Sequence, residues 1–385
     1  MGSSRDPASG PHGPCWRNEG MTKRSLKARP RSQVYFTPAQ ADEPAEVLAK
    51  KAEGLFLRLG LEDKVEKDSF VALKMHFGEK GNRGHIKAEW LARIVHRLNR
   101  RSGRVFFTDT NTLYTGPRSN AVEHIKLAWD HGFSAESAGA PLLMADGLIG
   151  KDSEEVKVGL SRVGKAKLGS AIVHSDFLVC FSHITGHIIA GMGGAVKNMG
   201  MGCASRAGKL EQHSDVHPRI NPKACRNCSL CLNYCPSGCI IQKEGTTFIQ
   251  DEKCIGCGEC LVVCKVGAVK MRWDEDATRL QEKMAEYAYA VHTLFRHKAA
   301  YLNFLLNITK DCDCMAQAQP SIVKDIGILA STDPLALDKA SADMVLERAG
   351  RDIFRRGYNI DWAIQLRHGQ KIGLGSLDYE LLGQD

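Results

Sequence analysis

Eight cysteines between Ala224 and Met271 constrain this chain more than any other feature. They form two runs, Cys225, Cys228, Cys231, Cys235 and then Cys254, Cys257, Cys260, Cys264, each spaced C-x2-C-x2-C-x3-C. Three thiolates two residues apart wrap one corner of an iron–sulfur cube, and a fourth beyond a short turn points to a neighbouring cube. The expected ligand sets therefore cross over: Cys225, Cys228, Cys231 and Cys264 for cluster one, and Cys254, Cys257, Cys260 and Cys235 for cluster two. A zinc ribbon would use two close pairs, and a disulfide knot would not need two runs of four. The spacing predicts two [4Fe–4S] clusters.

This stretch resembles the bacterial two-cluster ferredoxins over about fifty residues. Pro236 follows the first run, as in that pattern, whereas Cys239 takes the place of a small residue in Cys235-Pro-Ser-Gly-Cys-Ile240 and Lys265 replaces a second proline. Proline there rigidifies the turn, and a free cysteine packs well in a core, so Cys239 is expected to be filler and not a ninth ligand. A strand is expected over Thr246 to Ile249, between the two halves of the repeat.

Clusters need reduced thiolates, so a reducing compartment, the cytoplasm, is expected. No apolar run approaches the roughly 20 residues of a membrane helix, and the N-terminus lacks the apolar core of a signal peptide. Neither a membrane nor a nucleic-acid partner is expected. The net charge is +8, but residues 1–31 hold seven basic against two acidic side chains, which accounts for +5. A basic tail without stacking aromatics reads as solvated chain, so residues 1–30 are expected to be disordered. The tail is rich in Gly, Ser and Pro, and Met21 is a plausible initiator.

Apolar runs alternate with helical periodicity elsewhere. Gln33–Phe36, Phe70–Met75, Val105–Phe107, Phe177–Phe181, Tyr301–Ile308 and Ile326–Ala330 read as strands. Glu43–Leu59, Lys87–Leu98, Asn120–His131, Ala277–Phe295 and Pro334–Arg348 read as helices. The expectation is an α/β fold, a mainly parallel sheet with helices on both faces, interrupted by a small α+β ferredoxin-like insert. The core domain would comprise residues 31–220 and 273–385, with the insert at 221–272. The last five runs end in residues such as His76, Asp109, His183, Cys312 and Asp333, and ligands in such sheets bind beyond the carboxyl ends of strands.

The core also resembles the iron–sulfur centre proteins grouped as domain of unknown function 362, through Asp176–His183, Gly191–Asn198, Asp325–Ser331 and Asp333-Pro334. Members often carry an inserted two-cluster ferredoxin domain, and the resemblance implies fold and cofactors without a defined reaction.

Outside the clusters, the glycine-rich Gly191–His213 stretch carries Lys197, Asn198, Arg206 and Lys209, suited to a small anionic substrate. His183 and His187 are candidates for acid–base work or metal binding, and two hydrogen-bonded histidines would have the same spacing. Cys312 and Cys314 are candidate ligands of an additional metal, or redox thiols. Lys197, His183 and His187 are thus the catalytic candidates. The expected function is an iron–sulfur oxidoreductase passing low-potential electrons to a substrate or metal site at the strand ends. The alternative is an electron carrier or adaptor that docks on a partner enzyme. No G-x-G-x2-G dinucleotide fingerprint follows a strand, which favours a ferredoxin or flavoprotein as electron donor.

Overall fold

A computed structural model describes residues 31–114, 116–213, 218–235, 237–254, 259–270 and 277–383. The basic tail, Met21, Pro236, Cys257 and the expected exit from the insert near 272–273 lie outside the described residues.

The six expected strands and a seventh that was not expected, Tyr379–Gly383, form one sheet in the spatial order Tyr379–Gly383, Ser32–Pro38, Gly327–Ser331, Ala299–Leu305, Phe177–His183, Phe70–Lys74, Arg104–Thr108. Gly327–Ser331 runs antiparallel to both its neighbours, and every other pairing is parallel. The mainly parallel α/β reading therefore holds. The inner strands Gly327–Ser331 and Ala299–Leu305 are buried on both faces, with side chains alternating between two cores, whereas the edge strand Tyr379–Gly383 is largely exposed. Val71, Leu73, Val105, Phe107 and Val179 join one core with residues of helices Ala45–Arg58 and Ala92–Arg101. Ala72, Phe106, Leu178 and Cys180 join the other, under helices Ala195–Gly200, Ala277–Phe295, Pro334–Ala349 and Ile364–Ile372.

The antiparallel strand corrects one expectation. Its polar end, Ser331 to Pro334, lies at the sheet edge opposite the carboxyl ends of the parallel strands. Asp333 instead caps a helix, accepting from the Leu335 and Ala336 N–H groups at 2.9 and 3.0 Å. Four of the five runs remain to build a shared site.

The cysteine-rich stretch starts and ends on one small ribbon, in which Arg219–Ile220 pairs antiparallel with Val269–Lys270. Thr246–Ile249 is the expected strand, paired with Ile240–Lys243. The stretch has its own apolar cluster, built from Cys239, Ile240, Cys260, Leu261, Cys264, Ala268 and Val269. Two residues from outside the stretch, Leu113 and Leu210, complete that cluster. Among the described residues no helix is long and apolar enough to cross a membrane.

Candidate functional site

The parallel strands each deliver a polar residue to one edge of the sheet, and a cavity of about 460 Å³ opens there. Phe70–Lys74 ends in Lys74, followed by His76, and Arg104–Thr108 is followed by Asp109 and Thr110. Lys74 and Asp109 are almost completely buried and form an ion pair at 3.0 Å. Lys74 also donates to Asn198 Oδ1 at 2.7 Å. Burial opposes ionisation of Asp109, but Lys74, His124, His76 and Lys209 together hold its pKa down at about 2. Gly202 makes room for this pair, since a Cβ there would overlap the Asn198 carbonyl oxygen and crowd the Lys74 ammonium. Lys209, on helix Arg206–His213, donates to Thr110 Oγ1 and to the Ala204 carbonyl. Burial pushes it down to about 8.

The opposite wall is made by Arg118, His76 and the segment after strand Ala299–Leu305. Arg118 is buried and paired with Glu79 at 2.9 Å. Its guanidinium lies 2.7 Å from His76 Nε2, and that nitrogen is 3.3 Å from the Cys314 sulfur. A hydrogen bond from the Cys312 thiol, with Arg118 and Lys197 nearby, holds the Cys314 pKa well below its ordinary value against the effect of burial. The same hydrogen bond and burial raise Cys312. The two thiols are hydrogen-bonded to each other, with the lower pKa on Cys314.

His183 ends its strand with both ring nitrogens committed. Nδ1 donates to Asp313 at 2.9 Å and Nε2 donates to the Leu306 carbonyl at 2.7 Å. Both partners are acceptors, so the ring is an imidazolium, and although burial lowers its pKa, Asp313 and the carbonyls raise it on balance. His183 therefore clamps the Asp311–Cys314 segment onto the strand end. His187 is the converse case. Its Nδ1 accepts the Ile189 and Ala190 N–H groups at 3.2 and 2.9 Å, which puts the proton on Nε2. Burial and Lys197 push its pKa well down, so the ring is neutral.

Lys197 lines the cavity from helix Ala195–Gly200 with no hydrogen-bond or ion-pair partner among the described residues. Burial lowers its pKa, but Cys312, Cys314 and Asp313 raise it further, so it is charged. The Ala195 and Val196 N–H groups beneath it donate to Asp338 at 2.7 and 2.9 Å, which fixes this short helix.

The structure thus brings Lys197, His183, His187, Cys312 and Cys314 to one cavity. Arg206 turns away to donate to the Ser119 carbonyl. Among the described residues, no three His, Cys, Asp or Glu side chains converge tightly enough to hold a metal ion. Lys209 and Asp109, both singled out from sequence, line the cavity too, together with Lys74, Arg118 and Tyr114, which were not. Lys74 and Asp109 were legible as strand-end residues. Arg118 carried no signal, being placed by the loop that follows.

In the cysteine-rich stretch, Cys225, Cys228, Cys231 and Cys264 line one small pocket, the set expected to share a cluster. A cube holds its thiolates at its corners, farther apart than a single ion would, so this four-thiol donor set fits an iron–sulfur cluster. Of the second set, Cys254 is half-buried and Cys260 buried, and the Cys235 sulfur lies 3.4 Å from that of Cys239. No disulfide forms among the described residues.

The model of the family described as "Domain of unknown function (DUF362)" matches residues 71–343. The electron transport protein HydN of Escherichia coli (strain K12) is 41% identical over 49 residues, 12% of this chain and 28% of HydN. The pyruvate synthase subunit PorD of Methanothermobacter marburgensis is 32% identical over 80 residues, 21% of this chain and 91% of PorD. These likenesses fall in the ferredoxin-like region and support iron–sulfur clusters and an electron-transfer role. This chain spans less than a third of the length of HydN. Among solved structures, the lactate racemase apoprotein of Thermoanaerobacterium thermosaccharolyticum aligns at 14% identity and a TM-score of 0.43, over 82% of this chain and 57% of that one.

Proposed function

This chain belongs to the domain of unknown function 362 family, and from that premise we propose that it is an iron–sulfur oxidoreductase. It would pass electrons from two [4Fe–4S] clusters to a small anionic substrate in the strand-end cavity. Bound clusters supply one-electron transfers at potentials set by hydrogen bonds and exposure. Cys225, Cys228, Cys231 and Cys264 would hold one, and Cys254, Cys257, Cys260 and Cys235 the other. Residues 221–272 would form the cluster-binding domain, inserted into a core of 31–220 and 273–385.

The observation that carries this reading is the seat of the insert. Leu113 lines the cavity and is also part of the insert's apolar cluster, as is Leu210, which adjoins the cavity residue Lys209. The cysteine-rich stretch therefore rests on the wall of the cavity. In that cavity Lys197 would bind the substrate's negative charge and His187 Nε2–H would donate a hydrogen bond to it. His183 would position the Cys312–Cys314 segment, and Cys314 with Cys312 would serve as redox thiols. A ligand role for these two cysteines finds no third partner among the described residues. Lys209, with its pKa near 8, is suited to deliver a proton.

A reduced ferredoxin or flavoprotein would be the electron donor. A second reading, a carrier or adaptor without catalysis of its own, is favoured by the confinement of the HydN and PorD likenesses to the insert.

The test uses protein purified without oxygen. About eight irons and eight acid-labile sulfides per chain are expected. After dithionite reduction, a panel of small anionic oxidants should reoxidise the wild type, and K197M should slow the effective member at least about tenfold with the iron content unchanged. Equal rates for wild type and K197M across the panel would leave the carrier reading standing.

A further inference from the structure

Two of the segments that line the pocket of the first cysteine set carry basic side chains only. Arg219, Lys223 and Arg226 on one, and Lys265 and Lys270 on the other, are all exposed. No acidic residue occurs in 219–229 or 264–270. Among the described residues none of the five is in an ion pair. Arg219 and Lys270 stand directly opposite each other across the two-stranded ribbon. Like charges in that position destabilise a strand pair, so folding gives no reason for them. The hairpin beside these segments differs, since Lys243 is paired with Glu244 at 4.0 Å and Lys253 follows Asp251 and Glu252.

Exposure is polarised in the same sense. Cys228 is exposed and Arg226 shares its pocket, whereas Cys260 and Cys264 are buried in the apolar cluster that includes Leu113 and Leu210. The thiols nearest solvent thus sit within the basic rim, and the buried ones face the cavity wall.

Resting on the cluster assignment proposed above, we infer that the rim formed by Arg219, Lys223, Arg226, Lys265 and Lys270 is the docking face for an acidic one-electron carrier protein. The reduced carrier would give up one electron to the cluster that the cysteine set beneath the rim would hold, with no proton or bond change required. Opposite charge steers such a partner and orients its redox centre over the exposed Cys228 side.

The probe is a small acidic [2Fe–2S] ferredoxin and the full chain, purified without oxygen. In stopped flow, the rate constant for reduction by reduced ferredoxin should fall at least about tenfold as ionic strength rises from about 20 to about 300 mM. At low salt the K223E/R226E double variant should lose a similar factor, and calorimetric binding of oxidised ferredoxin should weaken in parallel. K50E, at an exposed position on helix Ala45–Arg58 of the core, should behave as wild type. Bleaching by excess dithionite, read as an end-point amplitude that should be equal in every variant, verifies that the clusters are retained. A salt-independent rate unaffected by charge reversal, with dithionite bleaching intact, overturns the docking face and leaves the cluster assignment untouched. So does a double variant that loses affinity only for RNA or for anionic vesicles. Absence of bleaching in the wild type would remove the cluster assignment, and the face with it.

Discussion

Lys197 and Lys74 show how the same residue type takes opposite roles a short distance apart. Lys74 is neutralised by Asp109 and held by Asn198, whereas Lys197 faces the cavity without a partner among the described residues. The first costs little to bury because it is paired, and the second keeps its charge available for a ligand. His124 is buried behind this site with neither ring nitrogen hydrogen-bonded, 3.9 Å from Asp109. Burial pushes its pKa from 6.5 down to about 3, against the pull of Asp109. The native state therefore holds it neutral while the unfolded chain takes up a proton. Its contribution to stability is complete above about pH 6.5 and is lost as the pH falls towards about 3, with a slope of at most about 1.4 kcal/mol per pH unit. Asp109 acts lower, losing its contribution as the pH falls from 3.8 through about 2. Thermal melts of H124L between pH 7 and pH 4 should show a flatter dependence than wild type. His85, His187, His213 and His292, whose pKa values burial also pushes down, contribute to the slope that remains.

At the scale of elements, the short helix Ala195–Gly200 is too brief to be stable alone and is held by its neighbours. Asp338 receives its first N–H groups, and Gly200 lies against helix Ala277–Phe295, where a Cβ would overlap the Met284 carbonyl oxygen. Gly200→Ala should cost about 1–3 kcal/mol through overpacking. Because the same helix carries Lys197 and Asn198, the variant should also weaken anionic ligands, read as a lower melting temperature together with a raised dissociation constant. A normal affinity in the folded variant would show that the helix is not what positions Lys197. The glycines of this stretch were legible as a site of close approach, but what they approach was not. Met284, Asp338 and Lys74 lie far away in sequence.

For the whole molecule, the coupling between insert and core runs through few side chains. Leu113 is 5% exposed and Leu210 3%, and each belongs both to a cavity-walling segment and to the insert's apolar cluster. Truncating either to Ala should cost about 2–5 kcal/mol if the space cannot collapse. The double variant L113A/L210A should keep dithionite reduction of the clusters but slow reoxidation by a cavity ligand, as measured in stopped flow. Unchanged reoxidation would mean that electrons leave the insert by another face.

The periodicity of the strands, the long helices and the two cysteine runs were determined by the sequence alone, because each rests on local spacing. Six of the seven strands sit where apolar runs meet breakers, whereas Tyr379–Gly383 was not read from sequence, and Cys225, Cys228, Cys231 and Cys264 line one small pocket. The direction of Gly327–Ser331 was not local information. It removed the Asp333 end from the site, since reversing one strand moves its carboxyl end to the opposite edge of the sheet. The histidines were likewise equivalent in sequence. Tertiary contacts alone made His183 a clamp, through Asp313, and left His187 neutral with its Nε2–H proton free of the backbone, because a ring's charge and tautomer follow from the partners that folding brings to it.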